Sequence, residues 1–379
     1  MDGREVVEWL LPVISSGIDS ERRSILRFSG QDDYARFLHH LQAALPQHPQ
    51  LGRIVPLGVM PALICPVPWT TAVPPPLQGA LLLEPDEAVQ IQALQSGSIV
   101  SERGIPWGVG HIGAPAAWSR TTGHRVKVGV IDTGVDFGHP DLRHSLERGI
   151  NLLERMELPQ DDNGHGTHIA GTIAAANQRQ GMIGVAPRAR IHPIKAFDHN
   201  GTAYVSDIIL GIEWCVRNGI DVVNMSFGMK TRSRSLYAAV SGAFRAGVLI
   251  VASSGNDGRN GSIDYPARYN HTVAVGATTR QGRIAGFTNR SGLIDVYAPG
   301  ERIVSAWLRG KHREMSGTSM ATSHVTGAVA LLLGLKPGLS PGQVKTIIQR
   351  SAVPLKNGKT PRSAGELSVA RMMKLAEQT

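Results

Sequence analysis

From Arg125 onward the apolar and polar positions fall into two alternating kinds of run. "VKVGVID", "RIHPIKAF", "IDVVNMSF" and "VLIVASSGN" are short and almost continuously apolar, whereas "HGTHIAGTIAAA", "VSDIILGIEWCVRNG" and "SLYAAVSGAFRAG" repeat apolar residues at helical spacing. Short continuous apolar runs predict strands buried on both faces. Their alternation with helices predicts an α/β fold, a parallel sheet flanked by helices, with its chemistry at the carboxyl ends of the strands. The first hundred residues read differently. "RSILRFS" predicts a strand and "DDYARFLHHLQAAL" a helix with an acidic start. "GRIVPLGV" and "ALICPVP" predict short strands, and after the stiff "AVPPPLQG" another extended run follows, "ALLLEPDEAVQIQ". These make a small α+β unit over residues 1–100, ahead of a main domain over 101–379. The polar stretch "QSGSIVSERG" predicts an exposed linker between them.

Composition narrows the class. With 379 residues, 42% hydrophobic and 18% charged, the chain is an ordinary globular protein of one large and one small domain. No apolar run reaches the roughly 20 residues of a membrane span. The start, "MDGREVVEWLLPVISSGIDSERR", mixes acids into its apolar residues and lacks a basic region before them, so it predicts no secretory signal and a cytoplasmic protein. Cys65 and Cys215 allow at most one bridge, which permits a reducing compartment. The net charge of +9 is uneven: residues 1–100 carry 6 basic and 10 acidic side chains, and the remainder 33 and 20. An acidic front beside a basic body predicts two parts that attract. Dispersed basic residues and only 5% aromatics argue against a nucleic-acid partner, whose binding would be strongly salt-dependent.

Three motifs carry chemistry. In "VGVIDTGVD", Asp132 ends a buried strand, where a carboxylate is costly unless a cation or hydrogen-bond donor meets it. In "DNGHGTHIAGTIAA", His165 and His168 stand at a helix start without the spacing of a zinc protease. In "MSGTSMATSH", three serines and two threonines head the apolar run "VTGAVALLLGL". A serine hydroxyl attacks only when a base takes its proton and a third group orients that base. Asp132, His165 and Ser319 supply the three roles. A helix N-terminus at Ser319 and Asn256 of "VASSGNDG" supply donors for an oxyanion.

The order Asp, His, Ser in "DTGVD", "HGTHIAGT" and "GTSMA" resembles the subtilisin-like serine proteases, from about "GIPWGVG" to "GELSVARM". The resemblance implies an endopeptidase acting through an acyl-enzyme, with no cofactor for catalysis. In it Asp132 orients His165, His165 serves as base and then acid, Ser319 attacks, and Asn256 with the Ser319 N–H binds the oxyanion. Ser316 and Ser323 are then local capping or packing hydroxyls. Ser226, Phe227 and Gly228 of "NMSFGM" pair with the substrate backbone, and Gly201 of "HNGTAY" lies on the opposite wall. "DYPARY" implies a cis bond before Pro266. The front unit resembles the family's propeptide, a folding aid and intramolecular inhibitor removed by autocatalysis between about Gln95 and Arg103. A monomer acting on protein or peptide substrates follows. The family is mostly secreted, which sets secretion by a non-standard route as the alternative to the cytoplasm.

Two departures from the family matter. Asp257 and Asp264 border the pocket for the residue preceding the cut, where small or neutral residues are common; two carboxylates there predict a preference for Lys or Arg. Asp141 and the loop residues Ala176, Gln178, Gln180 and Met182 match the family's structural calcium site in length. Gln178, however, replaces the usual Asn, and Arg103 stands where relatives often offer Gln. A pseudoenzyme of the same fold is the competing possibility. It gives no reason to keep Asp132, His165, Asn256 and Ser319 together.

Overall fold

The computed structural model describes residues 1–15, 23–91, 99–100, 103–177, 181–355 and 364–378. Seven parallel strands form the main sheet in the order Val296–Pro299, Thr272–Thr278, Leu249–Ser253, Val222–Met225, Lys127–Asp132, Arg190–Lys195, Ile150–Asn151. The four predicted strands are its four neighbours Leu249–Ser253 through Arg190–Lys195, and their apolar residues are buried because helices cover both faces. After Arg190–Lys195 the chain crosses to the other side of Lys127–Asp132, so the strand order reverses there. The crevice at such a reversal is where α/β sheets place their sites, and Asp132 is the last residue of that strand.

On one face His165–Ala174 and Thr318–Leu335 pack together against the sheet. Every residue of His165–Ala174 is buried, which its small side chains permit: a Cβ on Gly171 would run into Ala306. Among the described residues Thr318–Leu335 is the one helix long and apolar enough to cross a membrane, but 83% of it is buried inside the protein, as befits a core helix. On the other face lie Val205–Arg217 and Arg234–Arg245.

The front unit is an antiparallel sheet in the order Val55–Leu57, Ala62–Cys65, Ser24–Phe28, Leu81–Pro85. Its period-two alternation divides two cores. Ile25 and Ile64 pack with Ile208, Ile212 and Leu236 of the main domain, while Leu26, Leu63 and Cys65 pack under the unit's own helices, Gly3–Ser15 and Gln31–Ala44. The first of these helices was not anticipated. Val6, Val7, Leu10 and Ile14 bury one face of it, but Glu5, Glu8 and Pro12 obscure the pattern in sequence. The two cysteines are buried free thiols, and burial pushes Cys65 up to about 12. Of the linker, only 99–100 and 103–104 are described; Ile99–Val100 pairs with Arg313 and His312, and Ile99 is exposed.

The acidic front docks mainly on helix N-termini and less on basic side chains. Asp86 accepts from the Ser206 N–H (2.8 Å) and hydroxyl (2.6 Å) in the first turn of Val205–Arg217. Glu84 accepts from the Ser235 N–H (3.1 Å) in the first turn of Arg234–Arg245. The partial positive charge and unpaired N–H groups there favour carboxylates. In return Glu213 accepts from the Gly58 N–H at 2.8 Å, and Arg23 pairs with Asp207 at 3.1 Å.

His168, one turn beyond His165, turns away from the crevice. Its Nε2 bonds to the carbonyls of Ile303 (3.1 Å) and Arg313 (3.0 Å), which clips the hairpin Ile303–Trp307/Lys311–Met315 that leads into the Ser319 helix. Burial, with the neighbouring His165, pushes its pKa down to about 3, and burial takes His324 down to about 4.

Two outcomes are expected, both read in a Ser319→Ala background to keep the chain intact. Asp86→Ala weakens the docked front unit by about 1 kcal/mol, as loss of a cap does, and lowers the denaturation midpoint accordingly. The folded pKa values of His168 and His324 lie below the ordinary 6.5, so the unfolded chain binds more protons between them. Asp86, raised to about 6 by burial, opposes this with a single proton. Stability therefore falls as pH drops from 6.5 to 5, and His168→Gln flattens that slope in urea titrations at stepped pH.

Candidate active site

Asp132 ends the central strand with no solvent exposure, and its charge is met by donors. Its Oδ1 accepts from the Thr133 N–H at 2.8 Å, and both oxygens bond to His165 Nδ1, at 2.8 and 2.9 Å. His165 is the first residue of its helix, after Gly164 at φ 108°. Asp161 caps that start: it accepts from the N–H groups of Asn163, Gly164 and Thr167 and from the Thr167 hydroxyl. Because a carboxylate only accepts, Nδ1 carries the proton and Nε2 carries the lone pair. That Nε2 is buried with no hydrogen-bond partner among the described residues.

Ser319 is the second residue of Thr318–Leu335, and its hydroxyl donates to the Ser226 carbonyl at 2.9 Å. The Ser319 hydroxyl thus rests on the Ser226 backbone, and no Ser319–His165 hydrogen bond is made. Asn256 is oriented by Thr318, whose N–H (2.9 Å) and hydroxyl (2.8 Å) both bond to its Oδ1. Its Nδ2 is then the donor end. A Cβ on Gly317 would stand 3.3 Å from that Nδ2 and 3.8 Å from the Ser319 nitrogen, so the missing side chain opens a space that two N–H donors border. Ser316 accepts from the Arg302 N–H and Ser323 donates to the Met320 carbonyl, the local roles expected of them.

A peptide strand already lies in the cleft, and it belongs to the front unit. Ala88–Gln90 pairs antiparallel with Thr202–Tyr204, the Ile91 N–H donates to the Gly201 carbonyl at 3.0 Å, and Gln90 pairs antiparallel with Gly228. Val89 between them is buried. Gly201 and Gly228 thus lie on either side of this front-unit strand. The Phe227 side chain is in the core, its ring centroid 4.9 Å from that of Phe197. The Tyr265–Pro266 bond is cis.

The two pocket carboxylates are not open, contrary to what a preference for basic substrates assumes. Lys230 Nζ bonds to both oxygens of Asp264, at 2.8 and 2.7 Å, and to Asp257. Lys195 is a second unforeseen cation. It is buried beside Asp132, donating to the Thr133 carbonyl at 2.8 Å and to Asp162 at 2.7 Å. No local pattern in the sequence marks either lysine.

The Asp141 site does not fit calcium. Its carboxylate receives Asn177 Nδ2 (2.8 Å), the Met182 N–H (3.1 Å) and His312 Nε2 (2.7 Å), and a Cβ on Gly181 would run into it. Ala176 likewise turns its N–H, at 2.8 Å, to the Asp141 carbonyl. Calcium needs six to eight oxygens, whereas the Asp141 carboxylate is already met by three nitrogen donors, from Asn177, Met182 and His312. Gln178 and Gln180 lie outside the described residues. His139, Asp141 and His312 bring ligating atoms within 4.8 Å of one another. Yet His139 Nδ1 accepts from the Asp141 N–H and its Nε2 bonds to the Lys311 carbonyl, so both ring nitrogens are engaged.

Comparison with known proteins agrees with this geometry. The subtilase family, peptidase S8, matches residues 123–367. The chain is 43% identical over 252 residues to Subtilisin Savinase of Lederbergia lenta, covering 66% of this chain and 92% of that one. It is 41% identical over 274 residues to an alkaline protease of Alkalihalobacillus alcalophilus (72% and 71%) and 42% identical over 258 residues to Subtilisin E of Bacillus subtilis strain 168 (67% of each). A buried Asp–His pair and a helix-borne serine, both carried around a seven-stranded parallel sheet, thus sit within a family match spanning most of the main domain: the chain belongs to the subtilase family and is a subtilisin-like serine endopeptidase.

Proposed function

We propose that the enzyme cleaves peptide bonds through Asp132, His165 and Ser319, and that its front unit is a propeptide which it removes itself. The observation that carries the triad is the pairing of His165 Nδ1 with Asp132, which leaves a buried, unpartnered Nε2 to act as base. When substrate binds, the Ser319 hydroxyl turns from the Ser226 carbonyl to Nε2 and gives up its proton as Oγ attacks the scissile carbonyl. Asp132 stabilises the imidazolium so formed. Asn256 Nδ2 and the Ser319 N–H bond the oxyanion at the helix start. His165 then protonates the leaving amine, and water attacks the acyl-enzyme by the reverse proton path.

The inserted strand supports the propeptide. The antiparallel register of Gln90 with Gly228 runs toward Ser226, two residues back along that strand, whose carbonyl holds Ser319. The first cut is therefore proposed after Gln92, ahead of the window 95–103 drawn from the linker; most of that window lies outside the described residues. Until it is cut, the unit blocks the cleft as a substrate strand would, which makes it an intramolecular inhibitor. The enzyme acts as a monomer on protein and peptide substrates, and its chemistry involves no metal step. The likeness to the subtilisins favours secretion over the cytoplasmic location expected from the N-terminus.

An intact-mass time course of the purified chain beside Ser319→Ala tests this. Wild type splits into two fragments with the first ending at Gln92, and Ser319→Ala stays whole. A mutant that splits equally fast excludes Ser319 as nucleophile. On a peptide substrate, Asn256→Ala lowers kcat by about 10²–10³ with little change in KM, the scale established for the corresponding donor of subtilisin. Chelating calcium leaves the melting temperature of Ser319→Ala unchanged; a drop of several degrees means that the loop at 176–182 supplies oxygens.

A further inference from the structure

Beside the oxyanion donors lies a charge cluster that the triad does not use. The Asp264 side chain is 4% exposed and fills the space that side chains on Gly228 and Gly255 would enter. It thus lies between the strand that holds the bound peptide and the residue before Asn256. Lys230 comes from the same strand segment, two residues beyond Gly228, and reaches over to both Asp264 oxygens and to Asp257. Its side chain is 37% exposed, as Asp257 is at 38%, so Asp264 forms the floor of the cluster and Lys230 shares its mouth with Asp257. Asn289 Nδ2 lies 3.3 Å from Asp257 and 3.4 Å from Asp264, and Arg259 approaches Asp257 at 3.7 Å.

A buried carboxylate must be met by a cation or by donors. With Lys230 absent, Asp264 would draw that cation from the substrate. With Lys230 present, an arriving Lys or Arg finds the carboxylate taken and meets a like charge at the mouth. Displacing Lys230 exchanges one ion pair for another and gains little. A neutral side chain avoids both costs. We propose that Lys230 is the specificity-determining residue of this pocket: an internal cation that neutralises Asp264 and Asp257 and turns the enzyme from basic to neutral side chains before the cut. The residue at the proposed first cut, Gln92, is neutral. The assignment rests on the protease function proposed above.

The test uses the full chain, expressed and left to mature, on peptides that differ only in the residue before the cut: Arg, Gln, Phe or Glu. In wild type, kcat/KM for Arg does not exceed that for Gln. In Lys230→Met, which keeps the apolar stem, the Arg-to-Gln ratio rises at least about tenfold. Adding Asp264→Asn to Lys230→Met brings the ratio back. Asp264→Asn alone, which leaves Lys230 without its main anion, raises Glu relative to Arg by a similar factor. This variant gives the answer by itself if Lys230→Met does not fold. Three results overturn the proposal: a tenfold wild-type preference for Arg, an Arg-to-Gln ratio unmoved in a Lys230→Met enzyme that still cleaves the Gln peptide, or an unmoved Glu-to-Arg ratio in Asp264→Asn. If wild type cleaves none of the peptides and matches Ser319→Ala, the protease function itself fails and the specificity role with it.

Discussion

A carboxylate buried at the end of a dry parallel strand sets the terms for the rest of the site. Asp132 has no solvent, so the cost of its burial is offset by the donors that Thr133 and His165 bring to it. That requirement fixes the ring tautomer of His165 and the entry of the His165 helix, which Asp161 caps and Gly166 lets approach: a Cβ on Gly166 would run into the Gly134 carbonyl. The same pairing that lowers the cost of burying Asp132 leaves the lone pair on Nε2, which has no hydrogen-bond partner among the described residues.

The hydroxyl-rich stretch before the core helix divides its tasks by position. Thr318 turns both donors to Asn256 Oδ1 and so aims its amide, Ser319 donates to the Ser226 carbonyl, and Ser316 holds the Arg302 backbone. Thr322 and Ser323 bond back to carbonyls of their own helix. Gly317 contributes by lacking a side chain. His168, though only three residues from His165, belongs to this scaffold, since it ties down the hairpin that feeds Ser319 into place.

The front unit meets the main domain through two physical devices at once. Ile25, Ile64 and Val89 extend the apolar core over the two outer helices, while Glu84 and Asp86 satisfy the N–H groups those helices leave unpaired. The net charges of the two parts have the right sign for attraction, but the directional contacts come mainly from helix termini. With the unit anchored there, its last strand is delivered into the cleft between Gly201 and Gly228.

The amino-acid sequence by itself determined the parallel sheet, because continuous Val/Ile runs have few other ways to be buried, and the three motif residues, because Asp132, His165 and Ser319 sit at strand and helix ends that local pattern locates. Likeness to a family pointed to Asn256, Gly201 and Gly228. The helix Gly3–Ser15 escaped, its apolar face interrupted by acids and a proline. Only the tertiary structure decided the state of the charges. Lys230 reaches Asp264 from 34 positions away and His312 reaches Asp141 from 171 positions away. A carboxylate's character depends on which donor the fold brings to it, and nothing in its own neighbourhood along the chain records that donor. The pocket and the calcium-like loop therefore looked open in the sequence and are filled by the protein's own side chains and backbone in the fold.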